Sequence, residues 1–164
     1  MDVAEKQLTA ADVTYERLAG SIDHSLLRPD LTVDEVLAGC ELAAGYQVAS
    51  VCVRPADVPR SAAALRGTPV AVGTVVGFPH GSHETATKVF EAERALRQGA
   101  TELDMVINIG LLRSGEDDLV GRDIRAVVEA AAGSAVVKVI LENAYLDDEE
   151  LIAAEEACGA PAVD

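Results

Sequence analysis

One repeated pattern limits what this chain can fold into. A helical stretch runs to a glycine, and a short aliphatic run follows within a few residues. The glycines are Gly45, Gly67, Gly99, Gly133 and Gly159, and the runs after them cover residues 48–53, 69–76, 103–107, 135–141 and 160–163. Glycine just past a helix can take the left-handed conformation that closes it. Short β-branched runs bounded in this way read as buried strands. With an earlier run at 22–27, after a helix near 10–19, the chain holds about five strands and the start of a sixth.

The intervening segments carry helical stripes. Val33, Val36, Leu37, Cys40 and Ala44 share one face, and Thr32 with Glu35 forms a capping-box signature in front of them. Ala86, Val89, Ala92 and Leu96 make a second stripe, and Val120, Ile124, Val127, Val128 and Ala131 a third. Asp147 and Glu150 open a fourth helix with Leu151 and Ile152 facing inward, and Pro55 suits the first turn of the helix before Gly67.

Alternating strand and helix implies parallel β joined by right-handed crossovers. An open sheet binding a nucleotide would carry G-x-G-x-x-G or G-x-x-x-x-G-K-S/T after an early strand; neither occurs. The other closure is a (β/α)8 TIM barrel, which takes about 250 residues. At 164 residues the chain fits part of one. The reading is α/β, a single domain over 1–164, with an N-terminal helix and extension over 1–20 and βα units over 21–164.

Composition narrows the function. The core must be aliphatic, because aromatics are 3% and Trp is absent. The net charge of −15 repels nucleic acid and anionic membranes. An anionic ligand would need a local nest of backbone N–H groups. Cys40, Cys52 and Cys158 fit neither a disulfide framework nor a zinc ribbon, so a reducing cytoplasm is expected. The first five residues hold acidic groups and no apolar h-region, so no secretory signal is read, and no apolar run reaches the ~18 residues of a membrane span.

Polar residues interrupt otherwise apolar strands. Alternation puts Glu102, Asp104, Val106 and Asn108 on one face and Leu103, Met105 and Ile107 on the other. Ser50, Cys52 and Arg54 share a face, as do Lys138 and Glu142; Asp23 and His24 open the first strand. A charge inside a buried strand needs a partner, and Asp104 and Lys138 lie on successive strands that can supply one. Such a pair is either a register-fixing ion pair or the floor of an active site; α/β enzymes place titratable groups at strand ends.

His80 and His83 lack a carboxylate or cysteine at metal-ligand spacing, so no metal site is assigned, and Ser82 is read as the cap of the next helix. Lys88 and Glu91 read as a surface pair. Cys52 reads as a small core residue rather than a nucleophile.

In order along the chain, residues 22–29 (IDHSLLRP), 49–55 (ASVCVRP), 75–81 (VVGFPHG), 87–91 (TKVFE), 102–110 (ELDMVINIG) and 138–142 (KVILE) resemble the deoxyribose-phosphate aldolase family. The resemblance implies a (β/α)8 barrel that cleaves 2-deoxy-D-ribose 5-phosphate to D-glyceraldehyde 3-phosphate and acetaldehyde. It implies a lysine Schiff base and no metal or organic cofactor. It assigns Asp104 a general acid/base role and makes Asp23, Cys52 and Lys138 pocket residues. The family's Schiff-base lysine follows the sixth strand, beyond Asp164. This chain alone is therefore expected to be inactive or nearly so, and to form homo-oligomers or associate with the missing C-terminal segment. Lys138 is a poor substitute, because a carboxylate neighbour favours its charged form. The alternative expectation is a non-catalytic, self-associating piece of the barrel, since open sheet edges are templates for pairing.

Overall fold

The computed structural model describes Thr9 and residues 12–159. The run expected at 160–163 and positions 10 and 11 of the helix expected near 10–19 lie outside the described residues; the described helix begins only at Tyr15, after an N-cap at Thr14. Five strands, β1 (Asp23–Leu26), β2 (Ser50–Val53), β3 (Ala71–Val76), β4 (Glu102–Val106) and β5 (Val136–Ile140), form one parallel sheet in chain order. The helices are α1 (Tyr15–Ala19), α2 (Val33–Tyr46), α3 (Val58–Ala64), α4 (Thr85–Arg97), α5 (Ile109–Leu112), α6 (Asp117–Ala131) and α7 (Asp148–Gly159). Short 3-10 turns at Pro55–Asp57 and Asn143–Tyr145 precede α3 and α7.

Local chemistry sets most boundaries. The Thr32–Glu35 capping box is formed, and Asp147 and Glu150 cap one another reciprocally. Gly67, Gly99 and Gly133 have φ values of 83°, 106° and 69°, the left-handed region in which glycine escapes the Cβ clash. Gly45 does not close α2: the helix runs to Tyr46, and Gln47 takes the left-handed cap with φ 54°. No side chain caps α4, whose N-cap is Glu84, so Ser82 lacks the role expected of it.

Register and alternation divide the sheet into two faces. Leu26, Val51, Val53, Val72, Val76, Leu103 and Met105 point outward and join Val36, Cys40, Ala92, Ala95, Val120, Ile124 and Val127 in one apolar cluster under the helices. The helix stripes are rotated from the sequence reading. Val33, Ala86, Val128 and Ile152 are exposed, while Ala43, Ala95, Lys88 and Asp123 are buried. The other face carries Asp23, Ser50, Cys52, Gly73, Val75, Glu102, Asp104 and Lys138. Cys52, Val75 and Val106 are buried there yet stand apart from the outer cluster.

The sheet is strongly curled. Lys138 on β5 donates to Asp23 on β1 at 2.7 Å. Four strand spacings in a flat sheet would separate these edges by about 19 Å, more than the two side chains can bridge from one face. The polar face is therefore the concave one, as in a barrel wall.

Candidate active site

Each strand delivers its polar side chain at a matched height. Asp23 pairs in register with Ser50, and the Ser50 hydroxyl donates to Asp23 Oδ1 at 2.6 Å. Cys52 pairs with Gly73, and Gly73 with Glu102. Asp104 pairs with Lys138. A glycine at 73 leaves room beside the Glu102 carboxylate, which lies 3.6 Å from where a Cβ would stand.

Lys138 is the hub. Its ammonium donates to Asp23 Oδ2 at 2.7 Å and to Glu102 Oε2 at 3.0 Å. It also forms an ion pair with Asp104 Oδ1 at 3.2 Å. That third contact lacks hydrogen-bond geometry, so Asp104 Oδ1 is buried without a hydrogen-bond partner. Three carboxylates against one ammonium leave the site net negative. Burial alone would lower the Lys138 pKa; the hydrogen bonds it donates to Asp23 and Glu102 and the charge of Asp104 outweigh it and hold the group above the ordinary lysine range. The same contact holds Asp23 below the usual carboxylate range, with help from Ser50. Burial, then the charge of Asp104, pushes the Cys52 thiol up to about 12, so it stays protonated at neutral pH.

The structure thus brings together Asp23, Cys52, Asp104 and Lys138, the residues singled out by sequence. It adds Ser50 and Glu102, which alternation had placed on the right faces without assigning them to the site. Three expectations fail. Glu142 does not share the site with Lys138: it lies past the end of β5, exposed, with φ 58°. Arg54 lies past β2 and donates instead to Asp57 and to the carbonyls of Arg28, Pro29 and Leu31. Lys88 and Glu91 are not a surface pair. Lys88 is fully buried on Asp123, and Glu91 accepts the Gly77 N–H. The missed signal was charge on an apolar stripe: Lys88 shares spacing with Ala92 and Ala95, and Asp123 with Val120 and Val127.

His80 and His83 are exposed. Among the described residues no group of three or more His, Cys, Asp or Glu side chains is arranged to hold a metal ion, and no helix is long and apolar enough to cross a membrane.

A curled parallel sheet with aliphatic side chains outside and ionisable ones inside is the pattern of a barrel wall with its polar groups on the strands. The chain belongs to the DeoC/LacD family aldolases, whose family profile matches residues 8–158. It is 51% identical over 137 residues to a deoxyribose-phosphate aldolase of Geobacillus sp. (strain WCH70), covering 84% of this chain and 61% of that protein. It is 52% identical over 141 residues to the deoxyribose-phosphate aldolase of Bacillus subtilis (strain 168), covering 86% and 62%. The chain thus spans less than two thirds of the length of these curated relatives.

Among solved structures, a putative deoxyribose-phosphate aldolase from Coccidioides immitis superposes with a TM-score of 0.84 at 41% identity, covering 88% of this chain and 58% of that one. A deoxyribose phosphate aldolase from Aeropyrum pernix, described as a unique tetramer, superposes at 0.83 with 31% identity, covering 92% and 63%. The fold is that of the TIM-barrel aldolases, partial in this chain.

Proposed function

We propose that this chain forms the polar wall of an aldolase that cleaves 2-deoxy-D-ribose 5-phosphate to D-glyceraldehyde 3-phosphate and acetaldehyde. Asp104 acts as general acid/base, and Asp23, Cys52 and Lys138 line the pocket. The observation behind this reading is the convergence of Asp23, Glu102 and Asp104 on Lys138 across the concave face. A buried carboxylate oxygen beside an ammonium, with one acceptor position open, can take or return a proton from a reacting hydroxyl or carbon.

Amine chemistry needs a neutral lysine. The sequence has three lysines, Lys6, Lys88 and Lys138. Lys88 is sequestered by Asp123, and Lys138 is held charged by three carboxylates. Neither is therefore free to be the Schiff-base amine, which the resemblance to the family instead puts after the sixth strand, and no cofactor is invoked. The protein is placed in the reducing cytoplasm, in keeping with three free thiols.

The test is to co-express this chain with a polypeptide supplying the remaining barrel strands of a relative, and to assay retro-aldol turnover. Activity that disappears with Asp104→Asn is expected; full activity in that variant would contradict the role. Alone, the chain should show no turnover and no covalent trapping by acetaldehyde with borohydride. Trapping at Lys138 would overturn the assignment of the amine.

A second reading, a non-catalytic piece that self-associates, is favoured by one observation. Among the described residues β5 is an edge strand, and beside it lies a trough of about 490 Å³ whose lining includes Ile124, Val128, Val137, Val139 and Leu141 together with Glu155. A sharp monomer peak with a cooperative melt would count against it.

A further inference from the structure

Lys88 is the fully buried ionisable group that the proposed chemistry does not use. Its ammonium donates to Asp123 Oδ2 at 2.5 Å and to the Val106 carbonyl at 3.0 Å. Asp123 in turn accepts from the Thr85 hydroxyl at 2.8 Å. The pair therefore joins α4 and α6 to the last residue of β4, two positions after Asp104. One turn further along α4, Glu91 Oε2 accepts the Gly77 N–H at 2.8 Å, at the end of β3. One helix thus reaches the ends of two adjacent strands through two side chains.

The loop between β3 and α4 is fitted around this anchor. Gly77 has φ 66°, and a Cβ there would stand 2.9 Å from Lys88 Cε. Gly81 has φ 68°, and a Cβ there would lie 1.9 Å from the Ile107 carbonyl oxygen. The Gly81 N–H closes the turn onto the Gly77 carbonyl at 2.8 Å. Residues 77–81 therefore rest on the lysine stem at one end and on the Ile107 backbone, just past β4, at the other. A buried ion pair contributes little net stability compared with apolar residues of the same volume. What it provides here is direction, because only a donor at that point can hold the Val106 carbonyl.

We propose that Lys88 is a positioning residue that locks the β3–α4 loop to the end of β4, and so fixes the rim of the pocket around Asp104. This rests on the aldolase reading only for what the rim serves. Lys88 does not touch substrate. It acts through the Val106 carbonyl and through the space it fills against Gly77.

The test compares the parent chain with Lys88→Met and with the double variant Lys88→Met/Asp123→Leu, using amide hydrogen exchange resolved to peptides over 77–84 and 104–109. In the parent both segments should be protected as strongly as β3; free exchange there would overturn the proposal at once. Lys88→Met strands the Asp123 carboxylate and can fail to fold. The double variant removes that charge and should recover the parental melting temperature. Exchange in the two segments should nevertheless stay at least tenfold faster than in the parent, because the carbonyl remains unanchored. Recovery of both melting temperature and protection would show an ordinary structural ion pair and would refute the proposal. In the co-expressed assay, the double variant should lower kcat about tenfold with KM little changed. Faster exchange with no activity in any form would sink the aldolase reading and leave the positioning role standing.

Discussion

Leu103 and Asp104 are neighbours on β4 with opposite surroundings. Leu103 is fully buried in the aliphatic cluster beneath the helices. Asp104 faces the concave side, beside the Lys138 ammonium, with one oxygen lacking a hydrogen bond. The same contrast runs across the sheet: Val51 against Cys52, Met105 against Val106, Val137 against Lys138. The outer face is where burial stabilises the fold, at roughly 25 cal/mol per Å² of apolar surface. The inner face carries three carboxylates on one ammonium, an arrangement that stability alone would not select. Polar groups that cost stability, gathered on one side of a well-packed sheet, are what the proposed aldolase site rests on.

The largest effect that could break this comparison is on activity. In the co-expressed assay Asp104→Asn should reduce turnover by about 10²–10⁴-fold, the usual weight of a positioned acid/base group. Its unfolding free energy should stay within about 1 kcal/mol of the parent, because it removes charge from an over-acidic site. Leu103→Ala should do the reverse, costing about 3 kcal/mol of stability in urea denaturation through lost transfer energy and a cavity. If the two residues exchanged these phenotypes, the assignment of faces would be wrong.

Lys138→Met is expected to cost about 2 kcal/mol by urea denaturation. That is less than the 3–5 kcal/mol typical of a broken buried pair, because the lysine side chain is 37% exposed and solvent screens it. The variant should also change the pH profile. Asp23 has a folded pKa depressed by Lys138, so its contribution is present above the ordinary carboxylate pKa and is lost as pH falls through the depressed value. Lys138 has a raised pKa, so its contribution is complete below about pH 10.5 and is lost as pH rises through the raised value. The parent should therefore weaken at both extremes. Without Lys138 the depression of Asp23 is lost, so the variant should lose less stability than the parent on acidification.

The smallest effect concerns the rim. Glu142 holds a left-handed conformation at φ 58°, which costs a non-glycine residue strain. Glu142→Gly should raise stability by about 0.5 kcal/mol or leave it unchanged; a loss above about 1 kcal/mol would mean that the side chain makes a contact of its own.

Much of this was legible in the letters. The helix–glycine–strand repeat fixed the order of elements, and period-two alternation on 102–108 separated Asp104 from Leu103 before any coordinates. Helix faces were less legible. In α4 and α6 the buried stripes include Lys88 and Asp123, so an apolar pattern that skips charged residues comes out rotated. The Gly45 closure failed because Gln47 can itself take the left-handed cap. Convergence of Asp23 with Lys138 was invisible, because it depends on how far five strands curl rather than on any local spacing.

That convergence can be measured directly with a double-mutant cycle on Asp23→Asn and Lys138→Met, which lie 115 positions apart in the chain. A curled sheet with the ammonium on the Asp23 carboxylate predicts a coupling free energy of about 1 kcal/mol at neutral pH, falling toward zero as pH drops through the depressed Asp23 value. Strict additivity at neutral pH would mean that the two edge strands do not face each other across a common interior, and the site described here would not exist.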